Sequence, residues 1–282
     1  MLKTAFFQNL PKYNDIEFNL KAMQSLLQKN EKTISNVELF VVPEYIFSGP
    51  LDLPGFEQYK KQLRKLNLEE ELKKITKKFP KTTFIFGSAI LPRGKDYRNI
   101  SLAIKDGNIE AEYAKKALIY NENYTCKTDN KYPIFTIGEY RIGISICWDV
   151  ILPEVFRHFT RKIDLVVIPS FWGIGGNALQ AKYSFSLEKK YYRELCIARS
   201  YENAFGLLFV NSVGQYKSSF YSDRMMGGSL AIIPPKGEVY FTNDKNSDKL
   251  HQIDLDFEPL KQYREFYATD KDYEFYKSKK IF

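Results

Sequence analysis

Short apolar, β-branched runs alternate along this chain with segments whose apolar residues recur every three or four positions. The runs 2-LKTAFFQ-8, 37-VELFVV-42, 83-TFIFGSAI-90, 99-NISLAI-104 and 109-IEAEYA-114 have the length and content of buried strands. So do 141-RIGISI-146, 164-DLVVIP-169, 206-GLLFVN-211, 229-SLAIIP-234 and 250-LHQIDL-255. Helical periodicity predicts helices over 15–29, 60–79, 152–162, 177–204 and 257–266. KDGN at 105–108 is a hairpin turn signal, and PPKGE at 234–238 suggests another. Strands separated by helices, with hairpins among them, predict a mixed sheet system covered by helices. No Gly/Ser/Pro-rich linker and no internal repeat divides the 282 residues, so a single domain over 1–282 is expected.

Composition changes this picture little. A hydrophobic content of 44% is ample for a large core. The amino end, MLKTAFFQNLPKYND, has an early polar break and no small-residue cleavage site, so no secretory signal is expected. Apolar runs such as 204-AFGLLFV-210 fall far short of the roughly 20 residues that cross a bilayer, and no membrane partner is expected. Cys126, Cys147 and Cys196 are an odd number without CxxC spacing, and histidine occurs twice. Disulfides and a metal site are therefore not expected, and a reducing cytoplasm is the fitting compartment. The net charge of +8 raises a nucleic-acid partner, but the densest basic stretch, 60–79, interleaves acids and sets Leu63, Leu66, Leu72 and Ile75 at helical spacing. That is a solvated amphipathic helix face, and no nucleic-acid partner is expected.

Three predicted strands end on an ionisable residue: Glu44 follows 37–42 after Pro43, Lys115 follows 109–114, and Cys147 follows 141–146. Strand ends are where ligand crevices open in α/β sheets. Pro153 marks the start of a helix, so Cys147 occupies a strand-to-helix turn where the helix dipole and a nearby lysine would favour thiolate, with Asp149 as helix cap. The same pattern also fits a buried, inert cysteine. His158, in a helical FRHF context, and His251, near a late strand, have no neighbourhood that aims them at Cys147, which leaves a carboxylate as the base. Glu44, flanked by Tyr45 and Phe47, sits in apolar surroundings that would raise its pKa toward neutrality. By itself it also fits an ordinary strand-end glutamate.

Together these segments resemble the nitrilase superfamily of carbon–nitrogen hydrolases, marked by a Glu-Lys-Cys triad. The resemblance runs over nearly the whole chain: 42-VPEYIFSG-49, 113-YAKKALIYNE-122 with Lys115 rather than Lys116 aligned, and 143-GISICWDVILPEVFR-157 carry it, supported by 168-IPSFW-172, 198-ARSYENAFGLLFVNSVG-214 and 227-GGSLAIIPPKGEV-239. It implies an α-β-β-α sandwich of two mixed sheets flanked by helices. It further implies a homodimer or higher homo-oligomer, with the tail at about 257–282 packing on a partner subunit. Catalytic roles fall to Glu44 as base, Cys147 as nucleophile and Lys115, with the Trp148 N–H, as oxyanion donors. Glu122 is the candidate second glutamate that positions substrate, and Tyr45, Phe47, Trp148, Phe171 and Trp172 are expected near the nucleophile. No cofactor or metal is implied, and the substrate is a small amide, ω-amide or N-carbamoyl compound or, secondarily, a nitrile.

Some features depart from that pattern. Ala117 stands where many relatives carry histidine, and 123-NYTCKTDNKYP-133 lacks a customary glycine, so the pocket mouth is altered; Cys126 lies in this loop, where exposure is expected. Gly173, Gly175 and Ala178 formally make a GxGxx(G/A) pattern, but they come late after their strand and no ribose-binding acid follows at the usual distance. A glycine-rich loop at the pocket, with Asn177 as helix cap, is the plainer reading. Acyl transfer by the same triad and a catalytically idle scaffold are the competing functions.

Overall fold

The computed structural model describes residues 1–119, 121–175, 185–218, 222–242, 249–266 and 278–279. Two six-stranded mixed sheets form the centre. The first has the order β15-β1-β2-β3-β4-β5, from β1 (Leu2–Gln8), β2 (Leu39–Val41), β3 (Thr83–Arg93), β4 (Asp96–Lys105), β5 (Asn108–Ala114) and β15 (Lys249–Leu255). The second has the order β14-β13-β10-β8-β7-β6, from β6 (Ile134–Ile137), β7 (Tyr140–Ile144), β8 (Leu165–Ser170), β10 (Gly206–Asn211), β13 (Leu230–Ile233) and β14 (Gly237–Phe241). In each, the inner strands run parallel (β1, β2 and β3; β7, β8 and β10) and antiparallel partners close the edges. A small third sheet, β11-β12-β9, joins β9 (Gly173–Gly175), β11 (Val213–Lys217) and β12 (Ser222–Met226), just past the ends of β8 and β10.

Strand periodicity explains why the sheets stack. Leu2, Phe6, Leu39, Val41 and Ile85 face the second sheet and join its Ile142, Ile144, Leu165 and Val167 in one core. The alternate residues Ala5, Phe7, Phe40, Phe84 and Phe86 face the other way, into a second core under helices. Those helices are α1 (Ile16–Lys29), α3 (Leu53–Lys65) and α4 (Leu68–Thr76), after the single turn α2 (Glu31–Ile34) that follows α1. Asp15, Asp52 and Asn67 each accept a backbone N–H in the first turn of α1, α3 and α4. Beyond the second sheet lie α6 (Pro153–Arg157), α7 (Phe185–Asn203) and α8 (Glu258–Phe266); the short α5 (Glu122–Thr125) follows β5. The result is the expected α-β-β-α sandwich.

The helix expected over 60–79 is two helices. Leu66 continues the apolar spacing, but its backbone is extended (φ −119°, ψ 117°) and Asn67 caps a new helix through Glu70 N. The helix expected over 152–162 is shorter than expected: α6 ends at Arg157 and turns follow it, while a 3-10 turn over Cys147–Ile151 precedes it. KDGN behaves as expected, since Asp106 (φ 47°) and Gly107 (φ 79°) both take the left-handed conformation a tight hairpin turn requires. The helix expected from 177 is described from Phe185; Asn177 and Ala178 lie outside the described residues. The same holds for most of the tail beyond 266.

Candidate active site

Between the two sheets, at the ends of β2, β5, β7 and β8, four ionisable side chains meet. Glu44 arrives three residues after β2, Lys115 directly after β5, and Cys147 three residues after β7. Gly87, at the bulge between β3 and β4, lets the glutamate segment approach: a Cβ there would lie 2.0 Å from Val42 O and 2.1 Å from Pro43 O. Ser88 Oγ then accepts the Tyr45 N–H at 3.2 Å. Tyr45 (φ 58°) and Cys147 (φ 46°) are both left-handed, a conformation that costs a non-glycine residue roughly 1–2 kcal/mol. Cys147 belongs to the reactive cluster and Tyr45 adjoins it, a setting where such strain concentrates.

Lys115 Nζ donates to Glu44 Oε1 at 2.8 Å and to Glu122 Oε2 at 2.9 Å, and all three side chains are buried. Asn99, on β4, donates Nδ2 to Glu44 Oε1 at 3.1 Å and to Glu122 Oε1 at 2.6 Å. Phe171 N–H donates to Glu44 Oε2 at 3.1 Å, Ile119 N–H to Glu122 Oε2 at 3.0 Å, and the Tyr45 hydroxyl to Glu122. Cys147 lies close enough to Glu44 for the carboxylate charge to act on the thiol.

Burial pushes the Glu44 carboxyl up from the ordinary value of 4.5; Lys115 opposes that shift and Glu122 adds to it. Burial works against charge on Lys115 too, but the Glu122 and Glu44 carboxylates outweigh it and hold the ammonium well above the ordinary lysine range. The expectation that the surroundings of Cys147 favour thiolate is not met. Burial, then the Glu44 charge, push its thiol well above 9.0, against weaker opposition from Lys115. The helix-dipole argument also falls away, because Cys147 begins a 3-10 turn and the five-residue α6 starts six residues later.

Asp149 does not cap α6; its carboxylate instead accepts the N–H of Ile146, the N-cap residue of the 3-10 turn. Asp149 Oδ1 accepts from Lys116 N at 3.0 Å and Ala117 N at 2.7 Å, and its Oδ2 from Ile146 N at 2.9 Å and Tyr113 Oη at 2.7 Å. The carboxylate thereby ties the lysine segment to the cysteine segment. Lys116 turns away: its Nζ donates to Asp129 at 2.7 Å and lies over the Tyr113 and Tyr132 rings.

Of the aromatic residues expected here, Tyr45 and Phe171 pack edge to face at 6.1 Å, and Trp148 lies against Trp172 at 4.9 Å. Trp172 Nε1 donates to Glu188 at 2.9 Å. Phe47 instead packs in the helix-side core against Phe86. Cys126, expected exposed, is buried, and burial pushes its thiol up to about 12. His158 stacks on Tyr132 and His251 on Phe6, and neither bonds to the four-residue cluster. Sequence reading passed over Asn99 and the tie made by Asp149; the one available signal was a polar residue heading the otherwise apolar run 99–104.

A family model described as carbon-nitrogen hydrolase matches residues 3–265. A Schizosaccharomyces pombe protein named "Probable nitrilase" is 27% identical over 275 residues, covering 94% of this chain and 92% of its own. An (R)-stereoselective amidase of a Pseudomonas species is 25% identical over 246 residues, covering 87% and 81%. The fold matches the crystal structure of a carbon-nitrogen hydrolase from Helicobacter pylori G27 with a TM-score of 0.82 at 18% identity, over 98% of this chain and 97% of that one.

Proposed function

The chain belongs to the carbon-nitrogen hydrolase family, and from that premise we propose that it cleaves the C–N bond of a small linear amide through a thioester on Cys147. Glu44 takes the thiol proton as Sγ attacks the carbonyl carbon. Lys115 and the Trp148 N–H, which meets no acceptor among the described residues, stabilise the oxyanion, each donor worth about 3–4 kcal/mol in sites of this kind. Protonated Glu44 then gives its proton to the departing amine, and as carboxylate it draws a proton from the water that opens the thioester. The observation that carries this reading is a buried Glu44 carboxylate that accepts from Lys115 at 2.8 Å and lies close enough to Cys147 for its charge to act on the thiol.

Glu122 has a role in this scheme beyond orienting substrate. Both its oxygens are already engaged, one of them by Lys115, so it keeps the ammonium charged when Glu44 is protonated. The aromatic walls made by Tyr45, Phe171, Trp148 and Trp172 suit a small or flat acyl group. Amides, ω-amides and N-carbamoyl compounds fit, and the amidase relative supports them. A nitrile would pass through a thioimidate at the same sulfur, a second reading favoured by the relative named a nitrilase.

The assembly we propose is a homodimer. On α7, Leu187, Tyr191, Ile197 and Tyr201 are exposed and, at 3.6 residues per turn, lie within about 120° of arc. A reducing, cytoplasmic setting is supported by three free cysteines. No helix among the described residues is long and apolar enough to cross a membrane. The test is a screen of small amides, carbamoyl amino acids and nitriles for ammonia release, with mass spectrometry for an acyl adduct on Cys147. Equal release by Cys147→Ala, or none by the wild type, would refute the proposal.

A further inference from the structure

At the ends of the neighbouring strands β7, β8 and β10 stand Ser145, Ser170 and Ser212, each buried, each with a hydroxyl that makes no hydrogen bond among the described residues. Folds seldom leave buried polar groups unpartnered without a use for them. Ser170 is the one beside the nucleophile. β7 and β8 pair in parallel with Ile144 level with Val167, and Ser145 N–H bonds Val167 O at 3.1 Å, continuing the ladder. Past that point the ladder ends, because Cys147 is left-handed and opens a 3-10 turn; what ties Ser170 to the site is the next residue, Phe171, whose N–H donates to Glu44 Oε2 at 3.1 Å.

On its other side Ser170 is level with Asn211, whose amide is fully engaged. Its Oδ1 accepts from Trp172 N at 2.8 Å, and its Nδ2 donates to Trp172 O at 3.1 Å and Gly227 O at 3.0 Å. The Ser170 hydroxyl is thus left buried and without a partner among the described residues beside the cluster, and it and the Phe171 N–H are among the groups that favour the thiolate of Cys147.

We propose that Ser170 is a catalytic residue whose hydroxyl donates to Cys147 Sγ as the thiol ionises. This rests on Cys147 being the nucleophile. The proton leaves Sγ for Glu44, sulfur keeps the electron pair, and the Ser170 proton turns toward sulfur without leaving Oγ. A donor idle against the resting thiol and engaged by the charged sulfur lowers the barrier rather than tightening substrate binding. Removing it strands no partner, so the fold should not suffer.

The experiment compares full-length wild type, Ser170→Ala and Cys147→Ala. It measures iodoacetamide alkylation of Cys147 against pH by mass spectrometry, kcat and KM on a turned-over amide, and Tm. For Ser170→Ala the alkylation profile should move to higher pH and kcat should fall about tenfold, equivalent to about 1.4 kcal/mol. KM should stay within about twofold and Tm should hold or rise. A profile superimposing on the wild type, with kcat unchanged, overturns the proposal. So does a Tm loss of more than about 5 °C with an unshifted profile, which would assign the hydroxyl to packing. Alkylation needs no substrate. A wild type that turns over nothing would therefore sink the hydrolase reading while the profiles still decide the part played by Ser170.

Discussion

Asp149→Asn tests, with a change of one atom, whether hydrogen bonds set the lysine and cysteine segments against each other. The carboxylate accepts four bonds at 2.7–3.0 Å, two on each oxygen, and is fully buried. With its oxygen toward Lys116 N and Ala117 N, an asparagine keeps two of them, and the Tyr113 hydroxyl turns to accept from the new amide. The Ile146 N–H is left facing a donor. One orphaned buried donor costs roughly 1–3 kcal/mol, and the two retained bonds lose their charge assistance, about another 1 kcal/mol. Relief works the other way, because burial pushes the Asp149 carboxyl up and the neutral amide escapes that desolvation. The balance is a loss of about 2 kcal/mol, a fall in Tm of roughly 3–4 °C for a chain of this size. Activity should suffer more than stability, since Ile146 immediately precedes the nucleophile, and a misplacement of about 1 Å can cost on the order of a hundredfold in rate. Thermal melts by circular dichroism and steady-state kinetics on the same preparation check both. A melt within about 1 °C of wild type together with unchanged kcat would show that the four bonds do not position the site.

Glu44→Gln should lower kcat at least a hundredfold, within the roughly 10²–10⁴ range of a general base. In the wild type the acid limb of kcat/KM should lie above 4.5: the base must be ionised, and burial raises its pKa, so activity is lost at a higher pH than for an ordinary glutamate. A limb at or below 4.5 would contradict this. Gly87→Ala drives a Cβ into the backbone carbonyls of Val42 and Pro43, which cannot swing aside as a side-chain tip would. It should cost about 3 kcal/mol or more by chemical denaturation and lower kcat with it; a near-native denaturation midpoint would argue against the close approach. Ile197→Glu, on the exposed stripe of α7, should convert a dimer to monomer by light scattering without lowering Tm by more than about 2 °C. An unchanged dimer would place the interface elsewhere.

The strands that could be read from sequence are those buried on both faces, where a β-branched run has no other use. β1 and β10 match the expected 2–8 and 206–211 at both ends for that reason. The strands passed over are edge or small-sheet strands. In β6 Ile134 and Thr136 are exposed, and VGQYK and SDRMM of β11 and β12 carry no apolar run. The error at 60–79 came from Leu66, which satisfies helical spacing while the next residue, Asn67, supplies a better start for a new helix than continuation of the old one. At the site, residues at strand ends announce themselves locally. Asn99 and Asp149 do not, because their significance lies in bonds spanning 23 to 55 residues and 32 to 36 residues.

The arrangement also explains why a carboxylate, and not an imidazole, suits the place of the base. The base here lies 2.8 Å from a lysine ammonium. An imidazole that accepted the thiol proton would become a cation against that ammonium, in surroundings where like charges repel far more strongly than in water. Glutamate becomes neutral on accepting the same proton. Lys115 then loses one of its two anionic neighbours, keeps Glu122 at 2.9 Å, and meets the new negative charge on sulfur instead. Two carboxylates, one ammonium and one thiol carry a formal charge of −1 before the transfer and −1 after it. The proton therefore moves within the cluster without any change in the net charge that the buried site must hold. What favours ionisation of a thiol that burial pushes up is a neighbouring carboxylate to take the proton and the Lys115 ammonium to oppose the new charge on sulfur.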